Sequence, residues 1–165
     1  MLKDIRRVVT TLDNEGRSRW GSDAVVTAVR EVTTRSNDIW RIPSCPPDVR
    51  DDHAPTTVEN WPDPTGLVFR VAEVPPRSRR EAGQEDSWRA GWHASSTIDL
   101  MTVISGEIWA YQSHESEAVL LKAGDTFIQR GTMHAWENRG EVPCLFSVVL
   151  VGATNGGAPA RTAGE

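Results

Sequence analysis

The second half of the chain breaks into short β-type runs of apolar residues, each ended by a glycine or a polar turn. Runs at 98–105, 107–112, 118–121, 125–129, 134–138 and 145–151 are separated by Gly106, residues 113–117, Ala123-Gly124, Arg130-Gly131 and Gly140-Glu141. Many short strands at such spacing predict an antiparallel sandwich or barrel. The first half reads less cleanly. RVVTTLD (7–13) predicts a short strand closed by a turn at Asn14-Glu15-Gly16, and AVVTAVREVTT (24–34) a second one, since Val and Thr favour strand over helix. Six prolines make 42–66 a long loop, and LVFRVAEV (67–74) alternates as a strand with one face inward. The polar stretch 75–91 predicts a solvated loop with no binding role, and the small, polar tail GATNGGAPARTAGE predicts fraying. The expected organisation is therefore N-terminal strands and a Pro-rich loop (1–66) packing on a barrel core (67–151), followed by a flexible tail (152–165).

Length and charge narrow the class. At 165 residues the chain is one domain's worth, and 38% hydrophobic with 25% charged residues is a globular composition. A net charge of −5 argues against a nucleic-acid partner, which needs a basic face. No run approaches the roughly 20 apolar residues of a membrane helix, and the charged N-terminus lacks a signal peptide's apolar centre. Cys45 and Cys144 form no paired motif, so a reduced, cytoplasmic setting is expected. Seven tryptophans stand against one tyrosine and three phenylalanines. Trp88, Trp92, Trp109 and Trp136 lie near the chemistry-bearing segments, where they either line a pocket or fill the core.

That chemistry sits in two segments about forty residues apart. In GWHASSTIDLMTVISGE, alternation puts His93, Ser95, Thr97, Asp99, Met101 and Val103 on one strand face. In GDTFIQRGTMHAWEN, His134, Trp136 and Asn138 share a face in the same way. If the two strands are neighbours, His93, Asp99 and His134 converge on the interior. Two imidazoles and a carboxylate suit a divalent metal (Fe, Mn, Ni or Zn) with open positions for water or substrate. The alternative is a metal-free cluster, hydrogen-bonded internally and able to work as a general acid–base unit. His53 and His114 fall in predicted loops and are expected at the surface, as is Arg130.

These two segments resemble the two motifs of the cupin family, over residues 91–151. The first resembles Gly, His and a carboxylate followed by the VISGEIW strand; the second is similar in its Gly-Asp pair, glycine turn, His134 and Asn138. The resemblance implies an all-β, jelly-roll-like barrel and a homodimer. It also implies a metal set of three histidines and a glutamate, carried over onto His93, Asp99 and His134. Ser95 stands at the second histidine position, Asp99 is one methylene shorter than glutamate, and Gln129 stands near a place where the family often has proline.

Cupins span many reactions, so the resemblance leaves the activity open. The expected pocket is apolar, lined by Trp92, Ser95, Thr97, Met101, Trp109 and Trp136 around His93, Asp99 and His134. Its expected partner is a small hydrophobic or aromatic organic molecule. Three functions follow: a lyase (dehydratase or decarboxylase) or isomerase, an Fe(II)-dependent dioxygenase, or a non-catalytic small-molecule binder.

Overall fold

A strand that is apolar on one face needs a second layer to cover that face, and here two sheets cover each other. The computed structural model describes residues 4–32, 34–77 and 91–154, apart from the side chains at 114 and 115. These residues form eleven strands and no α-helix. The strands are β1 (Arg6–Leu12), β2 (Ser18–Val25), β3 (Val29–Glu31), β4 (Arg35–Ile42), β5 (Leu67–Val74) and β6 (Thr97–Ser105). They continue with β7 (Glu107–Gln112), β8 (His114–Lys122), β9 (Thr126–Arg130), β10 (His134–Glu137) and β11 (Cys144–Gly152). A six-stranded sheet runs β3-β4-β5-β11-β6-β9, a three-stranded sheet runs β10-β7-β8, and β1-β2 stand as a hairpin. Every pairing is antiparallel. The all-β architecture expected from the sequence is the one found.

The core lies between the two larger sheets. Val68, Ala72 and Val74 of β5, Met101 and Val103 of β6, and alternate residues of β11 from Cys144 to Leu150 meet Ile108, Ala110 and Leu121 of the facing sheet. Alternation is strict in β6: Thr97, Asp99, Met101 and Val103 are buried, while Ile98, Leu100, Thr102 and Ile104 are exposed. Between β6 and β7 the chain reverses at Gly106, whose φ is +75°. A Cβ there would lie 2.6 Å from the Pro143 carbonyl oxygen, so the turn admits no side chain without moving backbone.

Several expectations are corrected. The predicted turn 113–117 shrinks to Ser113, because His114 opens β8; HESE carries no apolar alternation to show it. The single run expected over 24–34 is broken, its first residues closing β2 and Val29–Glu31 forming β3. β4 had no sequence signal, since its buried Ser36, Asn37 and Asp38 are polar. It nevertheless pairs with β5, so β3 and β4 extend the barrel's own sheet. The loop 75–91 and the tail lie mostly outside the described residues, and Trp88 lies there too.

Candidate functional site

His93 and His134 are brought together by their backbones. They form an isolated antiparallel bridge, with His93 N–H donating to His134 O (3.0 Å) and His134 N–H to His93 O (2.9 Å). Directly opposed residues place their side chains side by side, and the ring centroids are 4.2 Å apart at 56°. Each Nδ1 lies against a main-chain carbonyl: His93 Nδ1 on Gly91 O at 2.7 Å and His134 Nδ1 on Thr132 O at 2.9 Å. A carbonyl oxygen only accepts, so both Nδ1 atoms carry the proton and each Nε2 keeps a lone pair.

The protonation of His134 is set by burial. His134 is almost wholly buried, and its pKa falls to about 4 because burial disfavours the cation and a charge on His93 repels it. The Thr132 carbonyl offsets this only in part. That carbonyl is itself held in place. Gln129, fully buried on β9, donates from Nε2 to Thr132 O (2.8 Å) and to the Thr132 hydroxyl (2.5 Å). It accepts from Gln112 Nε2 at 3.1 Å, and Thr132 Oγ1 donates to Gln112 Oε1 at 2.6 Å. The sequence marked Gln129 as a departure; the structure makes it the brace of the His134 tautomer.

Asp99 projects from β6 into the same space, opposite Gln129 in the β6-β9 register. Burial raises its pKa, against a hydrogen bond from Thr97 and the charges of His93 and Arg70. Asp99 Oδ1 is buried with no hydrogen-bond partner, and an orphaned buried acceptor is costly unless a ligand serves it.

The three residues border a cavity of about 370 Å³. Its walls are Met101, Phe127, Trp136, Phe146, Val148 and Leu150, with Phe127 edge-on to Trp136 at 5.3 Å. Arg70, Gln129 and the histidines add polar groups, and Arg30, Thr34, Ser36, Asn60 and Trp61 also line it. The size and the apolar character with a few convergent polar groups suit a small organic molecule.

Of the expected pocket residues, Met101 and Trp136 are in this lining, and Trp92, Ser95, Thr97 and Trp109 are not. Ser95 and Thr97 are buried against each other, hydroxyl to hydroxyl at 2.7 Å. Trp92 packs on Tyr111, and Trp109 lies under the Arg139 guanidinium, 4.7 Å away. Both join Tyr111 and Ala135 in a cluster separate from the main core. Glu137 alternates with Trp136 on β10 and is wholly buried, accepting from Tyr111 Oη (2.5 Å), Arg77 (2.8 Å) and Arg139 (2.7 Å). Alternation on β10 brings Trp136 to the cavity, whereas Trp109 on β7 stands opposite Glu137 on the other face. His53 is also corrected: it is half-buried, edge-on to Trp40 at 6.0 Å. Arg130 is exposed, as expected.

The sequence did not point to Arg70, Arg30 or Trp61. Arg70 is buried on β5 and pairs through Nε with the fully buried Asp38 at 2.6 Å. It also donates to Glu59 O at 2.5 Å, and the Trp61 ring lies 5.5 Å from that of His93. A charged residue amid the apolar run LVFRVAEV was the only available hint.

The metal set implied by the resemblance does not fit. Ser95 leaves two imidazoles, and Asp99 stands on the facing sheet with a short side chain. Among the described residues no three His, Cys, Asp or Glu side chains are grouped so as to hold a metal ion. The histidines come together; the three-ligand centre does not.

The segments that carry the two motifs thus reach both facing antiparallel sheets, β6 and β9 paired in one and β10 in the other, with their histidines bridged beside one cavity. The chain has a cupin fold. No family model matches the chain. Curated relatives include Oryzines biosynthesis cluster protein J of Aspergillus oryzae, 43% identical over 47 residues, 28% of this chain and 26% of that protein. Phomopsin biosynthesis cluster protein C' of Diaporthe leptostromiformis is 39% identical over 77 residues, 46% of this chain and 34% of that one. The chain therefore spans about a quarter to a third of the length of the curated relatives it matches. Similar solved structures include a conserved Klebsiella pneumoniae protein with a double-stranded beta-helix domain. It is 28% identical with a TM-score of 0.42, covering 60% of this chain and 76% of that one. Another is the polyketide cyclase RemF from Streptomyces resistomycificus, 14% identical with a TM-score of 0.49, covering 100% of this chain and 87% of that one. No described helix is long and apolar enough to cross a membrane.

Proposed function

We propose that this cupin is a small-molecule acid–base enzyme, a lyase or isomerase acting on a hydrophobic organic substrate through its own side chains. The observation that carries this reading is the histidine pair: two imidazoles 4.2 Å apart, each with Nδ1 tied to a carbonyl, beside an apolar cavity. With its pKa near 4, His134 is neutral near pH 7, and its Nε2 lone pair is available to take a proton from substrate. The less buried His93 borders the same cavity and, in its protonated form, is placed to act as the acid. In a dehydration, His134 removes a proton from carbon and His93 protonates the departing hydroxyl, so that water leaves and a double bond forms. In an isomerisation, the proton taken by His134 is replaced on a different atom by His93. Asp99 Oδ1 accepts a hydrogen bond from a substrate O–H or N–H and orients it. The appearance of curated relatives among biosynthesis-cluster proteins is consistent with work on small molecules. An Fe(II) dioxygenase would need a ligand set that these residues do not supply.

The test uses proton exchange, because exchange reports the proton-abstraction step whatever product follows it. A panel of hydroxylated and enolisable carbonyl compounds is incubated with the protein in deuterated water and read by mass spectrometry. A compound that is a substrate should gain deuterium with the wild type, and His134→Ala should lose at least about a hundredfold in rate, the usual worth of a positioned general base. Exchange at the wild-type rate in a folded His134→Ala variant would refute the reading.

A further inference from the structure

Among the described residues, the cavity has one arginine with no carboxylate partner, and it comes from the N-terminal third of the chain. Arg30 lies on β3 at the edge of the six-stranded sheet, opposite Ser36 in register, and both border the cavity. Its Nη1 donates to the side-chain oxygen of Asn60. Arg70, the other cavity arginine, is already neutralised by Asp38 at 2.6 Å and also donates to the Glu59 carbonyl.

Arg30 is also placed next to the chemistry. Arg70 donates to the Glu59 carbonyl, and Arg41 to the Trp61 carbonyl at 3.2 Å, so the segment carrying Asn60 is pinned from two strands. Asn60 holds Arg30, and the adjacent Trp61 sets its indole 5.5 Å from the His93 ring. Guanidinium, indole and imidazole all border the one cavity, and the 60–61 segment touches both the first and the last.

We propose that Arg30 is the anion-binding end of the cavity and that its ligand is an apolar carboxylate, which refines the acid–base reading and rests on it. The planar guanidinium has five N–H donors, one of which goes to Asn60, and its fork matches a carboxylate in two parallel bonds. A single guanidinium balances a single charge, and Thr34, Ser36 and Asn60 around it are neutral, so a dianionic phosphate would be undercompensated. The apolar body of the ligand then extends between Phe127, Trp136 and Met101, and a hydroxyl or amine on it reaches Asp99 Oδ1. A substrate of this kind is acidic at one end and loses or moves a proton at the other.

The probes are phenylacetate and its uncharged counterpart phenylacetamide, titrated into the protein at neutral pH by isothermal titration calorimetry. Wild type should bind the acid about tenfold tighter than the amide, the worth of one charge-assisted hydrogen bond. Arg30→Gln, which keeps a donor for Asn60 but no charge, should abolish that preference, while Arg50→Gln in the exposed loop after β4 should retain it. Equal affinity for acid and amide in the wild type, or a preference that survives Arg30→Gln, overturns the proposal and leaves the acid–base reading standing. Tighter binding of phenyl phosphate than of phenylacetate overturns the ligand class. If neither probe binds, the ligand proposal falls, and the exchange experiment alone decides the acid–base reading.

Discussion

A neutral imidazole inside a protein makes stability depend on pH, and His134 sets the sign. Its folded pKa lies near 4 and its ordinary value is 6.5, so between these the unfolded chain takes up a proton that the folded chain refuses. Stability is therefore full above pH 6.5 and is lost as pH falls toward 4. The gap corresponds to about 3 kcal/mol as an order of magnitude. Asp99, whose pKa is raised, acts in the opposite sense at the acid end, so the two must be separated. Thermal melts of wild type and His134→Gln across this range do so: the variant should show a flatter fall, and an identical slope would count against the assignment. At this scale the histidines were legible, because strand alternation alone puts His93, Asp99 and His134 on inward faces. Asp99's failure to complete a metal set was foreshadowed by Ser95 and the missing methylene. Arg30, Arg70 and Trp61 were not legible, since nothing local says that residues 30, 61 and 70 will meet residue 93.

Among the elements, β4 and the segment before β5 decide the shape of the cavity. β4 contributes Asp38, wholly buried, and β5 contributes Arg70; together they anchor Glu59 and Asn60. Removing one member of a buried ion pair leaves the other charge uncompensated, at a cost of about 3–5 kcal/mol. Arg70→Met should lose about that much in a urea unfolding titration and should also free Trp61, changing the fluorescence of the folded state. A loss below about 1 kcal/mol would mean that Asp38 finds other partners, with Arg41 at 3.5 Å the nearest candidate. The elements that sequence reading found are those with apolar alternation, such as β5, β6 and β11. Those it missed hide it: β4 buries Ser36, Asn37 and Asp38, and β8 begins on polar HESE. Buried polar residues mimic a surface pattern until their partners, here Arg70 and the Val71 carbonyl held by Asn37, are known.

For the molecule as a whole, the unanswered surface is the β1-β2 hairpin. Its residues are almost all exposed, including Val8, Leu12, Val25 and, at 71%, Trp20. A two-stranded sheet is marginal by itself in water, and here salt bridges such as Arg6–Asp23 at 2.5 Å lie on exposed side chains that add little. The outer face of the six-stranded sheet is also apolar. Phe69, Val149, Leu100 and Ile128 are successive cross-strand neighbours there, the last two about half exposed. A second copy of the chain would cover such surfaces, as the homodimer implied by the family resemblance requires. Light scattering on a size-exclusion column should then give twice the chain mass. Trp20→Glu should shift the protein to monomer at micromolar concentration, because the charge must be desolvated at the interface. A wild type that is monomeric at that concentration removes the dimer, and leaves the hairpin to be explained by the rest of the chain alone.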